Sequence, residues 1–119
     1  MMVMVYGAST NPERYAYKAT ELLLAHKHEL VLVGHKTGEV SGLPILHGQP
    51  ELKGIDTMTL YVGPQNQGDL LAYALKIKPK RIIFNPGTEN PSLYGPLENA
   101  GIRVEEACTL VLLHTGQFD

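Results

Sequence analysis

The residues with the clearest chemical potential lie in one short stretch, VYGASTNPER, residues 5–14. An apolar run breaks on Gly7, passes through Ala8, Ser9, Thr10, Asn11 and Pro12, and feeds the helix-patterned segment YAYKATELLLAHK. Glycine lets a chain turn sharply off a strand. A helix starting near Pro12, capped by Asn11, would point its unpaired backbone N–H groups and positive dipole end at that turn. Such an arrangement holds anions, phosphates above all. Ser9 and Thr10 add hydroxyl donors. Arg14 falls in the first helical turn, where a cation opposes the dipole unless an anion lies beside it. The same residues also suit a plain strand-to-helix turn, and the stretch by itself does not separate the two readings.

Other strand ends narrow the choice of phosphate. The second and third glycines of G-x-G-x-x-G are missing after Gly7, and no Gly-Lys-Ser/Thr of a Walker A loop follows. Sites for NAD place an Asp or Glu at the end of the second strand, to grip the ribose hydroxyls. Here that strand ends in Gly34-His35-Lys36, with no carboxylate. The cation at Lys36 suits a phosphorylated ribose, as in the 2′-phosphate of NADP or the 3′-phosphate of coenzyme A. The plain alternative is a solvated loop lysine. After the third strand, Gly63-Pro64 allows close backbone approach to an adenine or a pantetheine. After the fourth, Asn85 and the turn Pro86-Gly87 would face the distal part of a ligand.

The remaining reactive types carry less. The single cysteine, Cys108, reads as a small buried hydrophobe, or as a thiol with lowered pKa if a helix starts there. The histidines show no metal spacing, and His26 and His28 read as helix-terminal. His35 stands ready to assist Lys36. No Ser-His-Asp arrangement can be drawn, and Glu105 and Glu106 have no partner identifiable from spacing.

The elements that must position these residues alternate regularly. Strand-like runs occur at 3–6, 30–33, 57–62, 81–84 and 102–104, mostly continuous in apolar character, as strands buried on both faces are. Helical periods run from Pro12 to about Lys27, from about Gln65 to Ile77, and from a cap at Asn90. The Gly- and Pro-rich segment 34–56 reads as a surface excursion beside the ligand crevice, with a short extended piece at Leu43 to Leu46 and one helical turn after Pro50. Alternating strand and helix implies a Rossmann-like, doubly wound parallel sheet of about five strands with helices on both faces. Its ligands lie beyond the carboxyl ends of the strands, where strand order reverses.

Whole-chain properties set bounds. A length of 119 residues with 44% apolar content suits one domain, 1–119. A net charge of −2 without a basic cluster argues against a nucleic-acid or anionic-membrane surface. One cysteine excludes an internal disulfide and fits a reducing compartment. No signal-peptide core or membrane-spanning run is present, so a cytoplasmic location is expected.

The segments VYGAST-NPERYAYKAT, LVLVGHK, PGTENP and AGIRVEEACTLVL resemble the small single-domain CoA-binding proteins. That domain is similar to the nucleotide-binding half of the succinyl-CoA synthetase alpha subunit. The resemblance covers nearly the whole chain in order and implies a Rossmann-like fold binding coenzyme A or an acyl-CoA at the strand ends. It places the phosphate loop at Gly7, Ala8, Ser9 and Thr10. It matches Arg14 and Tyr17 to the family's arginine and tyrosine on the first helix, and Lys36 to its lysine after the second strand. Gly63, Pro64 and Gly87 fall on its later ligand-facing turns. Two departures stand out: Gly34-His35 replaces a common Asn-Pro, and Tyr15-Ala16 a common Pro-Ser. The synthetase also needs a phosphorylated histidine on a further domain and a second subunit, for which this chain has no length. The expectation is therefore a binder of the 3′-phospho-ADP end of CoA without evident catalytic machinery. The alternatives are an NADP-binding module or minor reductase, and an interaction subunit with a vestigial nucleotide site. A protein partner or a homo-oligomer is compatible with each.

Overall fold

The computed structural model describes residues 1–119. One sheet of seven strands forms its centre. Five strands are parallel and in mutual register: β1 (Met2–Tyr6), β2 (Glu29–Val33), β5 (Thr57–Leu60), β6 (Arg81–Phe84) and β7 (Arg103–Glu106). The short strands β3 (Glu39–Val40) and β4 (Leu43–Leu46) extend it at one edge, giving the order β3-β4-β2-β1-β5-β6-β7. Strand order reverses beside β1, since β2 lies on one side of it and β5 on the other.

Side-chain alternation splits the core into two layers. Met4, Met58, Leu60, Ile82 and Phe84 point to one face, under α2 (Leu70–Ile77) and α3 (Pro91–Asn99). Val3, Val5, Leu32 and Ile83 point to the other, under α1 (Tyr15–Ala25) and α4 (Thr109–His114). The helices bury one stripe each: Ala16, Ala19, Thr20 and Leu23 on α1, and Leu70, Tyr73, Ala74 and Ile77 on α2. Covering both faces explains why the central strands are mostly apolar, and the buried exceptions Thr57, Thr59 and Arg81 are hydrogen-bonded to one another or to neighbours.

Several boundaries differ from the expectation. The sheet has seven strands, because the extended piece at Leu43 to Leu46 pairs parallel with β2 and Glu39–Val40 folds back on it. No helical turn forms after Pro50. The first helix starts at Tyr15 instead of Pro12, because Asn11 builds a separate turn. Its side chain accepts from Glu13 N at 3.0 Å and its carbonyl from Arg14 N at 3.0 Å. Arg14 is thus the extended N-cap residue of α1 and not a first-turn residue. The second helix starts at Leu70, after a separate 3-10 turn at Pro64–Asn66. Gln67 divides the two by turning inward to donate to the carbonyls of Val62 and Thr88, both at 2.8 Å. His28 is buried against the Phe118 ring and is not a helix-terminal residue.

Candidate functional site

Because the parallel strands are in register, the chain segments after Tyr6, Val33, Leu60 and Phe84 emerge together at one edge of the sheet. A cleft of about 540 Å³ opens there, in the size range of small-ligand sites. Its first wall is the loop Gly7 to Asn11 with Arg14, Tyr15 and Ala16 at the start of α1. His35 and Lys36 come from the end of β2. Tyr61, Val62, Gly63 and Asn66 follow β5, and Pro86, Gly87 and Thr88 follow β6.

Two glycines bring these loops together. Gly7 has φ +101°, and a Cβ there would stand 3.0 Å from the Tyr61 carbonyl carbon and the Val62 side chain. At Gly34 a Cβ would stand 2.6 Å from the Ala8 carbonyl oxygen, closer than real side chains come. The loops after β1 and β2 therefore touch backbone to backbone. Gly7 N and Ala8 N both donate to the Val33 carbonyl at 2.8 Å, which fixes the turn and removes these two donors from any ligand. Between β1 and the first turn of α1, the N–H groups left without an acceptor are those of Ser9, Thr10, Tyr15, Ala16 and Tyr17.

The electrostatics of the cleft oppose those of the chain. No Asp or Glu lines it, although net charge is −2. Arg14 and Lys36 are exposed and form no ion pair; the Lys and Arg ion pairs of the molecule lie elsewhere. Burial pushes the Tyr61 phenol up to about 12. Two uncompensated cations share the cleft with the free N–H donors of Ser9, Thr10, Tyr15 and Ala16, a chemistry suited to an anion.

Of the residues expected at the site, Gly7, Ala8, Ser9, Thr10, Arg14, Lys36, Gly63 and Gly87 meet on the cleft. Three lie off its surface. Pro64 opens the 3-10 turn behind Gly63. The Tyr17 side chain lines a separate groove between α1 and α4. Asn85 is buried beneath the floor, donating to Thr59 Oγ1 at 2.8 Å and the Leu60 carbonyl at 2.9 Å and accepting from Thr109 N at 2.9 Å. It ties β5, β6 and α4 together under the cleft and has no free amide group to offer. Tyr61, Val62, Asn66 and Thr88 were not foreseen. Their one signal was position, within six residues after a strand. No cluster of three His, Cys, Asp or Glu side chains is placed to hold a metal ion.

The profile of the CoA binding domain family matches residues 2–114. The chain belongs to that family. Membership supports a binding role related to coenzyme A. A solved structure described as an uncharacterized protein is 48% identical, with 98% of this chain and 97% of that chain covered and a TM-score of 0.95. A protein from Thermus thermophilus shares the fold at 24% identity, with 98% and 90% covered and a TM-score of 0.86. A hypothetical protein from Pyrococcus horikoshii is 25% identical, with 99% and 83% covered and a TM-score of 0.80. No curated protein matches the chain. No helix is long and apolar enough to cross a membrane.

Proposed function

We propose that this CoA-binding domain holds coenzyme A or an acyl-CoA by its 3′-phospho-ADP end in the cleft at the strand ends. The observation that carries the reading is a cleft with two unpaired cations and no carboxylate, on a chain of negative net charge. Lys36 takes the 3′-phosphate. The free N–H groups of Ser9, Thr10 and the first turn of α1 take the diphosphate, with Arg14 beside them. Tyr17 contributes there by its backbone N–H. Gly63 and Gly87 leave space for the ligand to pass along the β5 and β6 ends, with Pro64 and Asn85 holding those turns in place. No general base, nucleophile or metal is assigned, and binding itself is the function proposed. The lining residues of the β5 and β6 ends are uncharged, with the Glu89 carboxylate held back on Gly87 N at 2.8 Å, and suit the uncharged pantetheine arm.

Calorimetric titration of ligand-stripped protein with CoA, dephospho-CoA, NADP and NAD tests this. The expected result is micromolar or tighter binding of CoA, with dephospho-CoA weaker by about tenfold or more, the share of one charge-assisted contact. A preference for NADP over CoA would replace CoA with a 2′-phosphate ligand. Silence from all four would refute a nucleotide site and favour a role in protein interaction.

A further inference from the structure

The chain has six tyrosines and two phenylalanines, and seven of these eight rings are wholly or partly buried. Each of the seven has a packing partner. Tyr6 lies on Tyr73 with centroids 5.7 Å apart, Phe84 lies on Tyr94 at 4.8 Å, and Phe118 lies under the Arg81 guanidinium at 4.7 Å. Tyr17 and Tyr61 pack against the core beneath α1. Tyr15 is the exception. It is 68% exposed and belongs to neither core layer.

Its position is specific. Tyr15 is the first residue of α1, directly after Arg14, at the mouth of the cleft. Lys18 Nζ stands over one face of its ring, 5.4 Å from the centroid. That cation occupies one face and leaves the other open. In an adenosine nucleotide only the ribose separates base from phosphates. A base whose phosphates sit on the free N–H groups of this helix start therefore lies within reach of Tyr15. A flat ring with one open face is what a purine stacks on, whatever its hydrogen-bonding edge.

We propose that Tyr15 is the base platform of the cleft, its open face stacking on the adenine of the bound nucleotide. The inference rests on the reading of the cleft as a CoA site and names a residue that reads the base end of that ligand.

The chain contains no tryptophan, so Tyr15→Trp introduces a single tryptophan, excited selectively over the tyrosines, at this position. Its emission should be quenched by CoA and by 3′,5′-ADP, and left unchanged by 4′-phosphopantetheine, which has no adenine. In calorimetry, Tyr15→Ala should weaken CoA binding by about 5- to 150-fold, the range of base–aromatic stacking. Tyr15→Phe should bind as the unaltered protein does. Because the side chain is largely exposed, all three variants should unfold at the unaltered midpoint. Tight CoA binding by both the unaltered protein and Tyr15→Ala would overturn the platform and leave the CoA reading standing. No binding of CoA by the unaltered protein would overturn both.

Discussion

At the amino end of the sheet, the Arg81 side chain is almost fully buried, with Nε donating to Thr57 Oγ1 at 3.0 Å and Nη1 3.4 Å from Glu105 Oε1. Arg103 shares the same carboxylate at 3.1 Å, Phe118 closes over the Arg81 guanidinium, and His28 meets Asp119 at 3.5 Å. At the carboxyl end, Arg14 and Lys36 stand exposed beside free N–H groups with no counter-ion. The same sheet thus holds a buried, paired arginine at one end and two exposed, unpaired cations at the other. Burying a charge demands a partner, so the amino-end ions are accounted for by folding. Exposed cations on a cleft with unused donors contribute little to folding, and the proposed ligand gives their arrangement a role.

If this division is right, substitutions at the two ends separate stability from binding. The largest effect on stability belongs to Phe118→Ala. It empties a fully buried site and uncovers Arg81, and should cost about 3–5 kcal/mol in urea denaturation without altering ligand affinity. Next comes Arg81→Ala, which strips Thr57 and Glu105 of a buried partner and should cost about 2–4 kcal/mol. Loss of affinity without loss of stability in either variant would break the comparison. At the other end, Arg14→Ala should weaken CoA and dephospho-CoA equally, by about 10- to 100-fold in calorimetry, because it lacks contact with the 3′-phosphate. Its unfolding midpoint should stay within about 0.5 kcal/mol of the unaltered protein.

The smallest effect is one of pH. Burial pushes the phenols of Tyr61, Tyr73 and Tyr94 from 10.0 up to about 12. A phenol with a higher pKa in the folded state binds its proton more tightly there. Its contribution to stability is therefore complete below pH 10 and is lost as pH rises toward about 12. Denaturation at a series of alkaline pH values should show this decline, less steep in Tyr61→Phe. An unchanged slope would place Tyr61 outside the buried wall.

Much of this arrangement is readable from residue order, and the failures are instructive. Continuous apolar runs give the five parallel strands, and glycine after a strand gives the Gly7 turn. The start of α1 is misread because Asn11-Pro12 is a good cap pair locally, while the chain uses Asn11 in a turn of its own. Asn85 is placed correctly at a strand end, but spacing carries no sign that Thr59, Leu60 and Thr109 occupy its amide. Gly34 reads as a mere departure from the family, whereas its role is contact with the Ala8 carbonyl, an encounter of loops 26 positions apart. Arg81 reads as a strand residue like its neighbours, and only the fold brings Phe118 onto it. Tertiary contacts of this kind leave no periodic trace.

The proposed site turns on recognition of a 3′-phosphate by the unpaired cation at Lys36. The most direct test is a two-by-two calorimetric cycle of unaltered and Lys36→Glu protein against CoA and dephospho-CoA. Lys36→Glu should weaken CoA by about 100-fold or more while dephospho-CoA changes by only a few-fold, so that the preference for CoA disappears. Equal losses for the two ligands would contradict it, since Lys36 would then act on some other part of the molecule.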